Sequence, residues 1–106
     1  MGTARGFGTF LRDQLASQLK ILNDATRTLF FETQRTAQGT LIPMTPGWHV
    51  GSCDGRSCFY KEGGGGGFHC LMRVYLQHGI ASVVMTNATA FDVHACLNAF
   101  DRQFLD

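Results

Sequence analysis

Lys61-Glu62-Gly63-Gly64-Gly65-Gly66-Gly67-Phe68 lies at the centre of the strands predicted for this 106-residue chain. Residues with strand preference flank it, over positions 56–60 before it and 68–75 after it. Glycine loses much conformational entropy on folding, so five in a row indicate either a flexible linker or a loop with unusual dihedrals or close backbone approach. Because strands flank the run, we favour a site loop over residues 62–67.

Three helices are predicted around this centre. Thr3 is a candidate N-cap for an amphipathic helix over residues 3–22, and Asn23 for a second helix that ends near residue 31. Thr89 or a neighbour caps a final helix over about residues 90–104. The apolar positions of the first helix recur at spacings of three and four; they are Phe7, Phe10, Leu11, Leu15, Leu19 and Leu22.

Four antiparallel strands are predicted near residues 48–53, 56–61, 68–76 and 80–87. Asp54-Gly55 marks a hairpin turn between the first two strands. Together with the helices, the order predicts an α+β fold: an antiparallel sheet of about four strands with flanking helices, in a single domain over residues 1–106. We expect the helix over residues 90–104 to cover one face of the sheet.

Composition excludes several classes of protein. Net charge is +1, and no basic stripe is present, so nucleic-acid binding is not expected. No apolar run approaches the roughly 18 residues that a membrane span needs, and the N-terminus lacks the apolar core of a signal peptide, so the localisation stays open. A phosphate-binding loop places its lysine after the glycines, whereas Lys61 precedes them, so no nucleotide cofactor is expected.

The cysteines and histidines leave alternatives open. Cys53 and Cys58 flank the Asp54-Gly55 turn, so they form either a cross-hairpin disulfide or two free thiols, and we favour free thiols. Zinc is disfavoured because no closely spaced Cys-x2-Cys pair is present, although a metal- or redox-responsive protein remains an alternative. Cys70 and Cys96 are expected to pack as small hydrophobic residues.

The glycine run and the strands after it resemble one enzyme family. Lys61-Glu62-Gly63, with Gly67-Phe68 closing the turn, is similar to the Lys/His-Thr/Ser-Gly triplet and Gly-rich turn of the β-lactamase-related serine hydrolases. This family includes class C β-lactamases, D-Ala-D-Ala carboxypeptidases and esterases. Residues 72–75, 78–80 and 82–87 resemble its last two strands, and residues 3–5, 23–26 and 47–48 fall in the expected order. The resemblance implies a partial domain, the C-terminal segment of a β-lactamase/transpeptidase-like fold.

The resemblance also implies half of an acyl-transfer site. Lys61 and Gly64 are the candidate catalytic residues: Lys61 is the cation facing the cleft, and the N–H of Gly64 is one of two donors to the oxyanion. Glu62, Gly63 and Gly65 are the candidate substrate-binding residues, for a small acyl substrate with no metal or cofactor. Glu62 stands where the family has Thr or Ser, which favours an esterase-like or unknown acyl substrate over β-lactams. Without the resemblance, the preferred interpretation of Lys61-Glu62 is a solvated charge pair at the end of a strand.

The family's nucleophile and base are not found in this sequence. Ser17-Gln18-Leu19-Lys20 has the Ser-x-x-Lys spacing but lies late in the first predicted helix, and no Tyr-x-Asn follows. We therefore expect the chain alone to be inactive. The alternative is a non-catalytic remnant that binds a partner or self-associates through an exposed sheet edge, because the family's N-terminal helix and strands are missing.

Overall fold

A four-stranded antiparallel meander forms the centre of the fold in the computed structural model, which describes residues 2–105. The strands lie side by side in sequence order: β1 (His49–Cys53), β2 (Arg56–Gly65), β3 (Phe68–Tyr75) and β4 (Ile80–Thr86). Asp54 and Gly55 form the β1–β2 turn with φ of 52° and 81°, the left-handed values that favour Asp-Gly in tight hairpins. The predicted α+β class and its four strands are therefore confirmed.

β2 continues through most of the glycine run, which corrects the predicted loop over residues 62–67. Only Gly66 and Gly67 form the β2–β3 turn, and Gly67 alone in the run has a positive φ, of 88°. Cross-strand pairing with β3 outweighs the weak strand preference of glycine, because β3 offers a continuous strand to pair with. The residues that pair with Leu71, Cys70, His69 and Phe68 are Glu62, Gly63, Gly64 and Gly65.

The first helix, α1 (Ala4–Leu15), is shorter than predicted. Its N-cap is confirmed, because the Thr3 hydroxyl accepts a hydrogen bond from the Gly6 N–H at 3.0 Å. Its predicted extension to residue 22 is wrong. The Asp13 carboxylate accepts bonds from the N–H groups of Lys20 (2.9 Å) and Ile21 (3.3 Å), so the chain folds back after the helix instead of continuing it.

The other two helices begin at aspartate- or asparagine-capped positions. Asn23 caps α2 (Asp24–Phe30) as predicted, through a 2.8 Å bond from the Thr26 N–H. Asp92, not Thr89, caps α3 (Val93–Asp101), which starts later and ends earlier than the predicted range 90–104. None of the helices within residues 2–105 is long and apolar enough to cross a membrane.

Helices cover both faces of the sheet. Side chains alternate along each strand, so β3 sends Val74 to one face and Leu71 to the other. On the first face Val74 packs with Leu11 of α1 and with residues that follow α2. On the second face Leu71 packs against α3, as predicted for the C-terminal helix. The buried residues of the first cluster are Leu11, Phe31, Trp48 and Val74, and those of the second are Leu71, Val93 and Leu97.

A disulfide joins Cys53 to Cys58 across the β1–β2 hairpin, with Cα atoms 5.9 Å apart. Cys53 pairs with Arg56 in the register, so Cys58 is its diagonal neighbour on the same face. The expectation of free thiols for this pair is therefore wrong. Cys70 and Cys96 are free and half-buried.

Candidate functional site

The last residues of β2 have a strand neighbour on one side only. β1 begins at His49, which pairs with Tyr60, so residues 61–65 pair with β3 alone in the described sheet. Residues that flank a two-residue hairpin turn exchange backbone hydrogen bonds, and the direction of the backbone N–H then alternates along the strand. Gly65 flanks the turn, so its backbone N–H and C=O groups point to β3, and those of Gly64 point away from β3. The Gly64 N–H therefore faces the open edge of the sheet, where a ligand can reach it.

A threonine from outside the sheet fixes the tip of this hairpin. The Thr89 hydroxyl accepts a hydrogen bond from the Gly67 N–H at 2.7 Å and donates one to the Gly65 carbonyl at 2.8 Å. Thr89, one of the predicted caps of the last helix, therefore binds the β2–β3 turn instead of capping α3. Its contacts hold the β2–β3 turn in place and thereby fix the strand that carries Gly64.

Glu62 lies on the same face of β2 as Gly64 and joins two histidines. One carboxylate oxygen is 2.7 Å from Nε2 of His69 on β3, and the other is 3.0 Å from Nε2 of His94 on α3. These bonds, the one from His94 foremost, hold the pKa of Glu62 below its ordinary value although desolvation raises it. Glu62 is therefore an anion that ties the edge of the sheet to both β3 and α3.

A buried arginine continues this network beneath α3. Arg73 is only 1% exposed, and its guanidinium lies 3.2 Å from Nδ1 of His94 and 3.4 Å from the Asp101 carboxylate. Asp101 also accepts a 2.7 Å hydrogen bond from the Tyr75 hydroxyl. Burial, followed by the contact with Asp101, raises the pKa of Tyr75 to about 12, so this phenol stays neutral. The network connects the sheet to α3 through polar side chains.

The geometry of His94 argues against a metal at this cluster. A guanidinium only donates, so Nδ1 of His94 carries the lone pair and Nε2 carries the proton that Glu62 accepts. A metal bound at Nε2 would displace that proton to Nδ1, facing Arg73. Among residues 2–105, no three His, Cys, Asp or Glu side chains are arranged to hold a metal ion.

The predicted site residues divide between the two faces of β2. Alternation places Glu62 and Gly64 on the α3 face, and Lys61, Gly63 and Gly65 on the face towards α1. The Lys61 side chain is exposed and has no hydrogen-bond or salt-bridge partner among the residues that the structure describes. Lys61 and Gly64 thus lie on one strand with Glu62 and Gly63 between them, and the Lys61 side chain and the Gly64 N–H point in different directions.

Ser17 and Lys20 do not share a helix face. Both lie beyond the end of α1, in the segment that folds back over Asp13. The Ser-x-x-Lys spacing therefore has no helical geometry to support a serine–lysine pair here.

His69 and His94 were not identified as site residues from the sequence. A turn placed at Gly66-Gly67 would have put His69 diagonally across from Glu62 on the same face, since Glu62 pairs with Leu71. No comparable signal exists for His94, because its position depends on how α3 docks on the sheet.

Comparison of the chain with protein-family models, with curated proteins and with solved structures gives no match in any of the three. The resemblance to β-lactamase-related hydrolases accordingly rests only on the residues quoted under the sequence analysis, and no comparison supports it.

Proposed function

We propose that this chain is the C-terminal segment of a β-lactamase-related serine hydrolase, which hydrolyses an acyl ester or amide in the complete protein. The observation that supports this most is the Gly64 N–H, which points out of the open edge of β2 beside the anion Glu62. An oxyanion hole needs backbone donors held in place before the reaction, and the Thr89 contacts hold this strand at its tip.

The Glu62 carboxylate restricts the charge that the proposed acyl substrate can carry. Glu62 occupies the place of the triplet's hydroxyl residue, and its carboxylate is already held by two histidines. An anion at this position repels a carboxylate on the substrate instead of binding it. The proposed substrate is therefore a neutral or cationic acyl ester or amide, not a β-lactam or a D-Ala-D-Ala peptide. Lys61 lies on the other face of β2, so in the complete protein its partner comes from a different segment.

The test is to express the longest reading frame that contains these residues and to label it with an activated phosphonate, which traps serine nucleophiles. The proposal predicts labelling of one serine upstream of this segment, within a Ser-x-x-Lys sequence, and no labelling of Ser17. A longer frame without such a serine, or with labelling at Ser17, would contradict it. Ser17→Ala in the same protein is the control, since it should leave labelling unchanged.

One observation favours the alternative, a non-catalytic binding module. β4 is a terminal strand of the described sheet and has apolar side chains exposed beside it, at Met85 and Phe100. Such an edge pairs readily with another strand. Absence of labelling in every longer frame, together with a stable complex through β4, would support this alternative.

A further inference from the structure

We infer that the 106-residue chain forms a two-fold dimer by antiparallel pairing of β4 with β4 of a second copy. The inference concerns the 106-residue chain by itself and assigns a specific interface to the alternative function, self-association through a sheet edge. It rests on the backbone of β4, on the groove that surrounds this strand, and on the contrast with the other edge of the sheet.

The outer edge of β4 offers unpaired backbone groups at alternate residues. By the same alternation, the backbone N–H and C=O groups of Leu71 and Arg73 on β3 point towards β4, where they face Val84 and Ser82. The residues of β4 on either side of Ser82 and Val84 therefore point their N–H and C=O groups outwards. These outward residues are Ala81, Val83 and Met85, and no backbone hydrogen bond to them from outside the sheet is found within residues 2–105.

These outward residues are complementary to a copy of themselves. Val83 lies midway between Ala81 and Met85, so a two-fold axis at Val83 pairs each Ala81 with Met85 of the second copy. Each such pair exchanges two N–H···O=C bonds. Residues 80–86 contain no charged side chain and no proline, so self-pairing brings no like charges together and lacks the features that usually block an edge strand.

An apolar groove beside β4 supplies the rest of the interface. A cavity of about 670 Å³ is lined by most of β4, by Ala4 of α1 and by the α3 side, including Phe100 and Phe104. These two side chains are 61% and 66% exposed, and Met85 is 41% exposed. A fully covered aromatic side chain buries about 200 Å², so the two phenylalanines offer roughly 250 Å², about a third of the 800 Å² per partner in a typical stable interface. A two-fold axis perpendicular to the sheet brings the two α3 helices together on one face, where these rings meet.

The opposite edge of the sheet is partly closed, which directs pairing to β4. The Val50 N–H of β1 donates to the Pro43 carbonyl at 2.9 Å, and Met44 forms a bridge with His49. Pairing of β1 with β4 of another copy would require displacement of this segment. The association is therefore a closed dimer and not an open chain of sheets.

The test measures association and backbone protection on the full chain. Sedimentation over a concentration series should show a species of twice 11.7 kDa. Hydrogen exchange at the Ala81, Val83 and Met85 amides should slow as dimer forms, whereas the Ser82 and Val84 amides, which face β3, should be protected at all concentrations. The inference is overturned if the chain stays monomeric, which is the result expected if another segment of a longer protein normally covers β4. It is also overturned if the outward amides exchange equally at all concentrations.

A matched pair of lysine variants locates the interface. Met85→Lys should raise the dimer dissociation constant at least about tenfold, because the charge would be desolvated at the edge. Leu29→Lys is the control: Leu29 is 59% exposed but lies on α2, so the variant should dimerise normally. Circular dichroism establishes that both variants are folded. Normal dimerisation of a folded Met85→Lys, or loss of the dimer in Leu29→Lys, contradicts the placement of the interface; if Met85→Lys does not fold, the exchange measurement on the unsubstituted chain decides.

Discussion

Replacement of Glu62 by glutamine should destabilise the chain through the two histidines that it joins. Nε2 of His94 must remain a donor because Arg73 faces Nδ1, so the glutamine oxygen accepts that bond. The amide NH₂ group then faces Nε2 of His69, which has to change tautomer to accept it, and both bonds lose the negative charge of the carboxylate. A hydrogen bond to a charged group contributes about 1.5–3 kcal/mol, but here Glu62 is 35% and His94 44% exposed, so solvent screening reduces the loss to about 1 kcal/mol. For a domain of this size, that is a fall in Tm of about 5 °C.

The control is the adjacent residue, and the pH dependence identifies the cause. Lys61→Gln changes an exposed side chain without a partner among the described residues, so it should alter stability by less than about 0.5 kcal/mol. The folded-state pKa of Glu62 is lowered, so its contribution is present above the ordinary value of 4.5 and is lost as the pH falls through the folded-state pKa. Thermal unfolding should therefore show a Tm gap between wild type and Glu62→Gln near neutral pH that closes in acid. Equal Tm values near neutral pH, or a gap that persists in acid, would show that the charge of Glu62 does not stabilise the fold.

Three further predictions concern the same chain. The isolated chain should show no hydrolysis of activated esters, and burst acylation that disappears in Ser17→Ala would contradict this. Gly67→Ala should lower the free energy of unfolding in urea by about 1–2 kcal/mol, because the φ of Gly67 is 88°. Gly66→Ala should lower it less, because the φ of Gly66 is not positive and the added methyl group has open space. Equal losses would show that the turn is not strained. Asp101→Asn should cost about 3–5 kcal/mol, since it leaves the buried Arg73 without its counter-charge, and a loss below about 1 kcal/mol would show that the pair does not stabilise the fold.

The strands could be predicted from the sequence because their signals are local. β3 and β4 alternate strand-forming residues between clear turns, and Asp54-Gly55 fixes the first hairpin. The end of β2 could not be predicted in the same way. Glycine has little strand preference of its own, so Gly63 and Gly65 become strand only because β3 lies opposite them.

The helix ends and the polar network depend on contacts between distant residues. The apolar spacing of the first helix continues to Leu22, but the Asp13 carboxylate ends α1 by binding the backbone of Lys20. The network around Glu62 requires α3 to bring His94 across the sheet, and no spacing in the sequence indicates that approach. The position of the Gly64 N–H, in contrast, follows from hairpin alternation once the turn is placed at residues 66–67.

Turnover of the longer hydrolase proposed above, carrying Gly64→Pro, tests whether the Gly64 N–H is an oxyanion donor. Proline removes the N–H that points out of β2 without removing a hydrogen bond to β3, and loss of one oxyanion donor costs about 3 kcal/mol, or at least about a hundredfold in kcat. Gly64→Ala is the matched control: it keeps the N–H, and its Cβ would lie at an ordinary contact distance of 3.4 Å from His69, so kcat should stay close to wild type. If Gly64 is such a donor, kcat falls at least about a hundredfold in the proline variant and stays near wild type in the alanine variant. Near-normal turnover in a folded Gly64→Pro protein would contradict this role.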